Sequence, residues 1–210
     1  MTPRVDVAAT TTRQLLASDR EGALDLLELG LREVPVYRWL IGEYAESDAY
    51  RWYGEVLFVE YLRGLHGVFD ESGRLIALIA AAGTGDDAGL IDEGLKARTR
   101  EYVRKIDGFI SRFTELQKKT EDAKVADHAV KVIFALVHPD HRGGGTLATL
   151  VDPVVERARR LGLPLTCSTS DAQLSKLYAR KWNALVRAEF TLTDGPRVWV
   201  QRIDPPVPPT

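Results

Sequence analysis

The stretch that most constrains this chain is a strand, a glycine turn and a helix in direct succession. Lys131–Val137 (KVIFALV) is an apolar run of strand length, suited to the middle of a sheet. It runs into His138-Pro139-Asp140-His141-Arg142, then Gly143, Gly144, Gly145 and Thr146. Leu147, Leu150, Val151, Val154, Ala158 and Leu161 then recur at helical spacing. Pro153 sits inside that helix and is expected to kink it, because its ring removes a backbone hydrogen bond.

The turn has a chemistry of its own. Consecutive glycines let backbone amides approach a ligand closely. A helix N-terminus adds unpaired N–H groups and the positive end of its dipole. Together they make an anion cradle suited to a pyrophosphate, and Arg142 can add a charge-assisted bond. Two familiar phosphate motifs are absent. No Gly-Lys-Ser/Thr ends the turn, and the glycines are contiguous rather than spaced as in a dinucleotide fingerprint.

The other segments predict a mixed sheet covered by helices. Residues 10–16 read as a first strand. Ser18 and Glu21 form a capping box before Leu24, Leu27, Leu31 and Val34. A helix capped by Ser47 or Asp48 runs to about Arg63. Strands at Leu65–Phe69 and Arg74–Ala80 flank a hairpin turn, and Gly83–Gly89 is a flexible loop. The stripe Leu95, Thr99, Tyr102, Ile106, Phe109, Phe113 and Leu116 predicts one long helix over 92–119. Leu165–Thr169 is a strand, Asp171–Lys181 a helix capped by Asp171, and Leu185–Thr193 with Arg197–Ile203 a terminal hairpin. Residues 1–204 are expected to form one domain, with 205–210 a proline-rich tail.

Composition excludes several classes. The 28 Lys and Arg against 30 Asp and Glu give no global case for nucleic acid or a membrane surface. A single cysteine, Cys167, excludes an internal disulfide framework and a Cys-rich zinc site. His138 and His141 have metal-ligand spacing but no third ligand beside them, so no metal is expected. The opening MTPRVDVAATTTRQLL is too polar for the core of a secretion signal, and a cytoplasmic protein is expected. Residues 37–61 hold eight of the 17 aromatic residues, among them Trp39, Trp52 and Tyr53. They read either as a core-facing stripe or as the wall of a pocket for a flat or bulky substrate.

In its turn and the segments after it, the sequence resembles the GNAT superfamily of acyl-CoA-dependent N-acyltransferases. Arg142, Gly145 and the position of Leu147 map onto the superfamily's coenzyme A motif, although Leu147 stands where a small residue is usual. Ala135-Leu136-Val137 matches the strand that pairs with the pantetheine arm like an added strand. Leu177-Tyr178 falls where the family carries Leu-Tyr, whereas Trp182-Asn183 replaces its usual Gly-Phe. Within the superfamily the chain is most similar to the puromycin N-acetyltransferase group. That likeness rests on Tyr37-Arg38-Trp39-Leu40, Leu150–Pro153 and Asp194-Gly195-Pro196-Arg197 with Trp199.

The resemblance implies a mixed, mostly antiparallel twisted sheet flanked by helices and splayed at the acyl-CoA site, with the acyl-CoA core over about 131–203. It implies acetyl-CoA as cosubstrate, held by residues 135–137, by Arg142, Gly143, Gly144, Gly145, Thr146 and Leu147, and by Ser170. It implies direct transfer of an acetyl or other acyl group to the amine of a small molecule, such as an antibiotic or a biosynthetic intermediate. Tyr178 is the candidate general acid for the departing thiolate. The carboxylate that the family often carries on the strand before the loop is missing, and Glu55, Glu60, Asp70, Glu189 and a water chain are candidate substitutes, none of them singled out by the sequence. Two alternatives stand beside this reading. One is a noncatalytic acyl-CoA-binding regulatory module; the other is a transferase using a longer acyl-CoA or an acyl carrier protein. The chain is expected to be a monomer or a homodimer.

Overall fold

A computed structural model describes residues 10–42, 45–83 and 91–205. The Gly83–Gly89 loop lies outside the described residues except at Gly83, and so does the tail beyond Pro205. The chain order is β1 (Thr11–Gln14), α1 (Arg20–Glu33), α2 (Pro35–Ile41), α3 (Ser47–Tyr61), β2 (Leu65–Phe69) and β3 (Leu75–Ala82). There follow α4 (Glu93–Lys105), α5 (Phe109–Asp122), β4 (Val130–Val137), α6 (Thr146–Arg160), β5 (Leu165–Thr169), α7 (Ala172–Trp182), β6 (Leu185–Thr191) and β7 (Arg197–Ile203).

The strands form one seven-stranded sheet in the order β1-β2-β3-β4-β5-β7-β6. Every neighbouring pair is antiparallel except β4 and β5. That parallel pair is joined only from Val130–Leu165 to Val132–Cys167. Beyond it the two strands part, while β4 stays paired with β3 through Val137. The sheet is therefore split at its centre, as the family resemblance implied.

Each face of the sheet buries its own core. One face packs Leu24, Leu27 and Leu31 of α1 and Leu57 and Phe58 of α3 against Leu78, Phe134 and Leu136. The other packs Leu150, Val151, Val154 and Ala158 of α6 against Val68, Ile79 and Val130. Alternation along the strands sends successive side chains to opposite faces. Helix α6 continues through Pro153.

Three local expectations change. The 92–119 segment is two helices rather than one. Gly108, at φ +70°, turns the chain left-handed, a conformation that costs glycine little. The stripe crosses that break: Tyr102 stacks on Trp52 at 4.9 Å, and Phe109 packs on Trp52 and Tyr53 at 5.6 and 6.2 Å. The helix expected to start at Ser18 starts at Arg20 instead. In place of a Ser18–Glu21 box, the Asp19 carboxylate accepts from the Leu16 N–H at 2.8 Å and pairs with Arg13 at 2.6 Å. Helix α3 starts at Ser47 without a side-chain cap, and Asp48 instead accepts from the Tyr102 hydroxyl at 2.7 Å. Helix α2 is a further helix among the described residues, too short to show a periodic stripe in the sequence, with Pro35 in its first turn.

Candidate functional site

A cavity of about 890 Å³ occupies the split between β4 and β5. It passes from one face of the sheet to the other. Tyr53 and Phe113 wall it on the α3 and α5 side, and Leu147 and Tyr178 on the side of α6 and α7.

The glycine turn opens into this cavity. After β4 a single helical turn, Pro139–His141, leads into Gly143 at φ +81° and Gly145 at φ +91°. Gly145 is the N-cap of α6, and among the described residues no side chain accepts from the Thr146 and Leu147 N–H groups. Helix α7 differs: Asp171 accepts from Gln173 N and Leu174 N at 2.7 and 3.1 Å. The unpaired amides of α6 are thus left for something else. Among the described residues, no atom beyond the adjoining residues and the helix's own backbone lies within 4 Å of a Cβ built on Gly143, Gly144 or Gly145, so nothing crowds the turn where those side chains would stand.

Arg142 stands beside this turn. Its Nε donates to the Val137 carbonyl at 3.0 Å, and its Nη2 is paired with the Glu33 carboxylate at the end of α1. The neighbouring histidines have local partners. His138 accepts from the Asp140 N–H at 3.3 Å, and Arg74 Nη2 donates to His141 Nε2 at 3.0 Å. Among the described residues no cluster of His, Cys, Asp or Glu could hold a metal ion.

Tyr178 lines the opposite wall. Its ring packs on Trp182 at 5.8 Å, and the Trp182 Nε1 donates to Asp152 of α6 at 2.7 Å, which ties the two helices together. Burial pushes the Tyr178 phenol well above its ordinary range, helped by Cys167 and Asp171, so the proton stays on the oxygen at neutral pH. Cys167 faces the same cavity, and burial pushes its thiol up to about 12. Ser170 also lines it, and its hydroxyl accepts from the Val36 N–H at 3.1 Å, holding the start of α2 to the end of β5.

Of the residues singled out from the sequence, Ala135, Leu136, Val137, Arg142, Gly143, Gly145, Thr146, Leu147, Ser170, Tyr178 and Tyr53 all line this one cavity. Gly144 sits in the turn but not in the wall, and Trp39 and Trp52 lie outside it. Trp52 is buried, with Nε1 donating to Thr99 Oγ1 at 3.1 Å. The Trp39 Nε1 donates to the Thr193 carbonyl at 2.8 Å, latching α2 to the β6–β7 turn. Both indoles are therefore spent on packing.

The four candidate carboxylates separate equally clearly. Glu55 pairs with Arg20 and Arg98, both at 2.5 Å. Asp70 closes the β2–β3 turn, accepting from Ser72 and Arg74, and Glu189 lies 3.8 Å from Arg197. Glu60 alone of the four lines the cavity. The spacing Tyr53, Leu57, Glu60, Tyr61 is the signal that finds it, because it puts all four on one face of α3.

Solved structures share this architecture. Arylalkylamine N-acetyltransferase 2 from Aedes aegypti superposes with a TM-score of 0.66 at 11% identity, over 93% of this chain and 98% of that one. An acetyltransferase from Corynebacterium glutamicum, described as histone acetyltransferase HPA2 and related, gives 0.65 at 14% identity, over 96% and 99%. An acetyltransferase of the GNAT family from Desulfovibrio desulfuricans gives 0.52 at 16% identity, over 93% and 99%. No protein-family model matches the sequence, and no curated protein matches it. The fold is that of the GNAT acetyltransferases.

Proposed function

We propose that the protein is an acyl-CoA-dependent N-acetyltransferase acting on a small-molecule amine. The observation that carries this reading is the uncapped, glycine-lined start of α6 opening into the same cavity as Tyr178. The α6 amides and Arg142 have the chemistry to hold a pyrophosphate. The edge of β4 beyond Val132, released by β5, offers backbone groups to a pantetheine arm, as an added strand would use them.

In this reading the acceptor nitrogen attacks the thioester carbonyl, a C–N bond forms, and the C–S bond breaks. The ammonium proton passes to Glu60, the one cavity carboxylate among the four candidates. Tyr178 directs its O–H at the departing sulfur. Because burial holds that phenol neutral, its proton is present throughout the physiological range. Amide, free thiol, protonated Glu60 and a Tyr178 phenolate complete the balance, and the proton on Glu60 then passes through solvent to Tyr178, which restores both residues.

The acetyltransferases that share the fold support an amine acceptor, one of them named for arylalkylamines. The resemblance to the puromycin N-acetyltransferase group supports including aminonucleoside antibiotics among the amines tried. A binding-only module is the second reading, favoured by the absence of a carboxylate on β4.

The test has two stages. Thermal unfolding with millimolar coenzyme A or acetyl-CoA should rise, since a ligand at about a hundredfold excess over its Kd adds ~2.7 kcal/mol of stability. Thiol release across a panel of amines should then follow for the intact protein. No shift rejects the whole reading; a shift without turnover on any amine selects the binding-only module.

A further inference from the structure

The acceptor side of the cavity carries a constellation that general amine acylation does not require. Tyr37 of α2 and Tyr53, Glu60 and Tyr61 of α3 all line it. Tyr37 and Tyr53 stand 6.0 Å apart, ring to ring, and Tyr61 meets Phe134 of β4 edge-on at 6.4 Å. Glu60 is close enough for its charge to act on both Tyr53 and Tyr61. Three phenols and one carboxylate therefore converge.

The pairing of the carboxylates decides what this cluster can hold. Four acidic side chains line the cavity: Glu33, Glu60, Glu121 and Asp171. Glu33 is paired with Arg142, Glu121 with Lys124, and Asp171 caps α7. Among the described residues no lysine or arginine pairs with Glu60. The aromatic wall cannot supply a counter-ion of its own. Burial holds the phenols of Tyr37, Tyr53 and Tyr61 neutral, Tyr37 up to about 12 and the other two higher. A half-buried carboxylate in an aromatic wall without a cation is complementary to a cation brought by a ligand. Ring faces add to the same preference.

We propose that Glu60, with Tyr37, Tyr53 and Tyr61, forms a subsite that selects a cationic amine carried on a compact apolar or aromatic body. Glu60 takes the ammonium group and the tyrosine rings take the body. Anionic amines, such as free amino acids with an unblocked carboxylate, are rejected by the same charge. This subsite rests on the acyltransfer reading for its role in turnover, but its binding selectivity does not depend on that reading.

The experiment uses the full chain and two probes of the same shape, 2-phenylethylamine and 2-phenylethanol, by calorimetric titration at neutral pH without acyl donor. The amine should bind at least ~10-fold tighter than the alcohol, the discrimination expected of one charge-assisted contact. In Glu60→Gln that ratio should fall towards one, and in Glu60→Asp it should recover in part. A ratio near one in the unaltered protein overturns the subsite, as does a ratio preserved in Glu60→Gln. Because the first comparison needs no variant, a folding defect in Glu60→Gln leaves it decisive. Coenzyme A titrated in parallel separates the two readings. Amine selectivity without coenzyme binding keeps the subsite and rejects the transferase. Coenzyme binding without amine selectivity does the reverse.

Discussion

Arg142 is shared between the Val137 carbonyl, which holds its Nε, and the Glu33 carboxylate, which holds its Nη2. The first contact fixes the stem of the guanidinium to the end of β4. The second occupies the end that a pyrophosphate would need. Both partners of that ion pair are exposed by more than two-fifths, so the pair is worth only about 0–1 kcal/mol. Replacing Arg142 by Ala should weaken coenzyme A by roughly 10- to 100-fold, the value of one charge-assisted bond. Glu33→Gln should tighten it, by no more than about fivefold, since it removes a competitor of small strength. Calorimetric titration reads both, and weaker binding in Glu33→Gln would show that Glu33 orients the arginine rather than competing for it.

Tyr178→Phe should lower kcat by about 10²-fold, the usual scale of a lost acid–base or hydrogen-bond contribution at a reacting atom. Binding of acetyl-CoA should stay within about twofold, because the ring and its contact with Trp182 remain. The sign of the pH dependence follows from burial. The phenol is pushed above its ordinary value, so it still carries its proton where a solvated tyrosine, near ~10, has lost it. The rate should therefore show no tyrosine-linked fall below that value in steady-state profiles. A fall there that vanishes in Tyr178→Phe would reject a buried, neutral Tyr178.

The lone thiol gives a probe inside the cavity. Burial moves Cys167 from an ordinary 9.0 up to about 12, which leaves about a thousandfold less thiolate at any pH well below both values. A disulfide reagent should modify the native protein very slowly and the guanidinium-unfolded protein within seconds to minutes. Rapid native modification would mean that Cys167 is open to solvent.

A stability prediction comes from the latch between α2 and the β6–β7 turn. A Cβ on Gly195 would sit 2.5 Å from Trp39 Cδ1 and Nε1. Gly195→Ala should thus displace the indole, strain its bond to Thr193, and cost about 1–3 kcal/mol, measured by urea unfolding. In a Trp39→Ala background the same substitution should cost much less, because the obstacle is gone. Equal costs in both backgrounds would place the strain elsewhere.

Local chemistry was legible in the sequence, and long-range geometry was not. The strand, turn and helix around Arg142–Gly145 could be read because glycine and proline act on their own neighbours. The 92–119 stripe reads as one helix because hydrophobic spacing continues across Gly108, and periodicity is blind to one left-handed residue. Trp52 and Tyr53 are adjacent in sequence but about 100° apart around α3. Only packing reveals that one faces Thr99 and the other the cavity. Glu60 was one of four equivalent acids until the fold assigned arginine partners to Glu55 and Glu189 and turn donors to Asp70. The parting of β4 from β5 depends on which strands meet, which no single segment encodes.

Three residue pairs are all that join β4 to β5 in this sheet. Mechanically, the molecule is two wings sewn along a short seam, with the Trp39–Thr193, Val36–Ser170 and Trp182–Asp152 bonds as further stitches. A ligand lying along the open edge of β4 would act as a brace between the wings. Its effect should reach beyond the residues it touches, slowing amide exchange in β5, β7 and β6 as well as in β4. The wing carrying α7 and the last three strands is then the part whose rigidity reports occupancy.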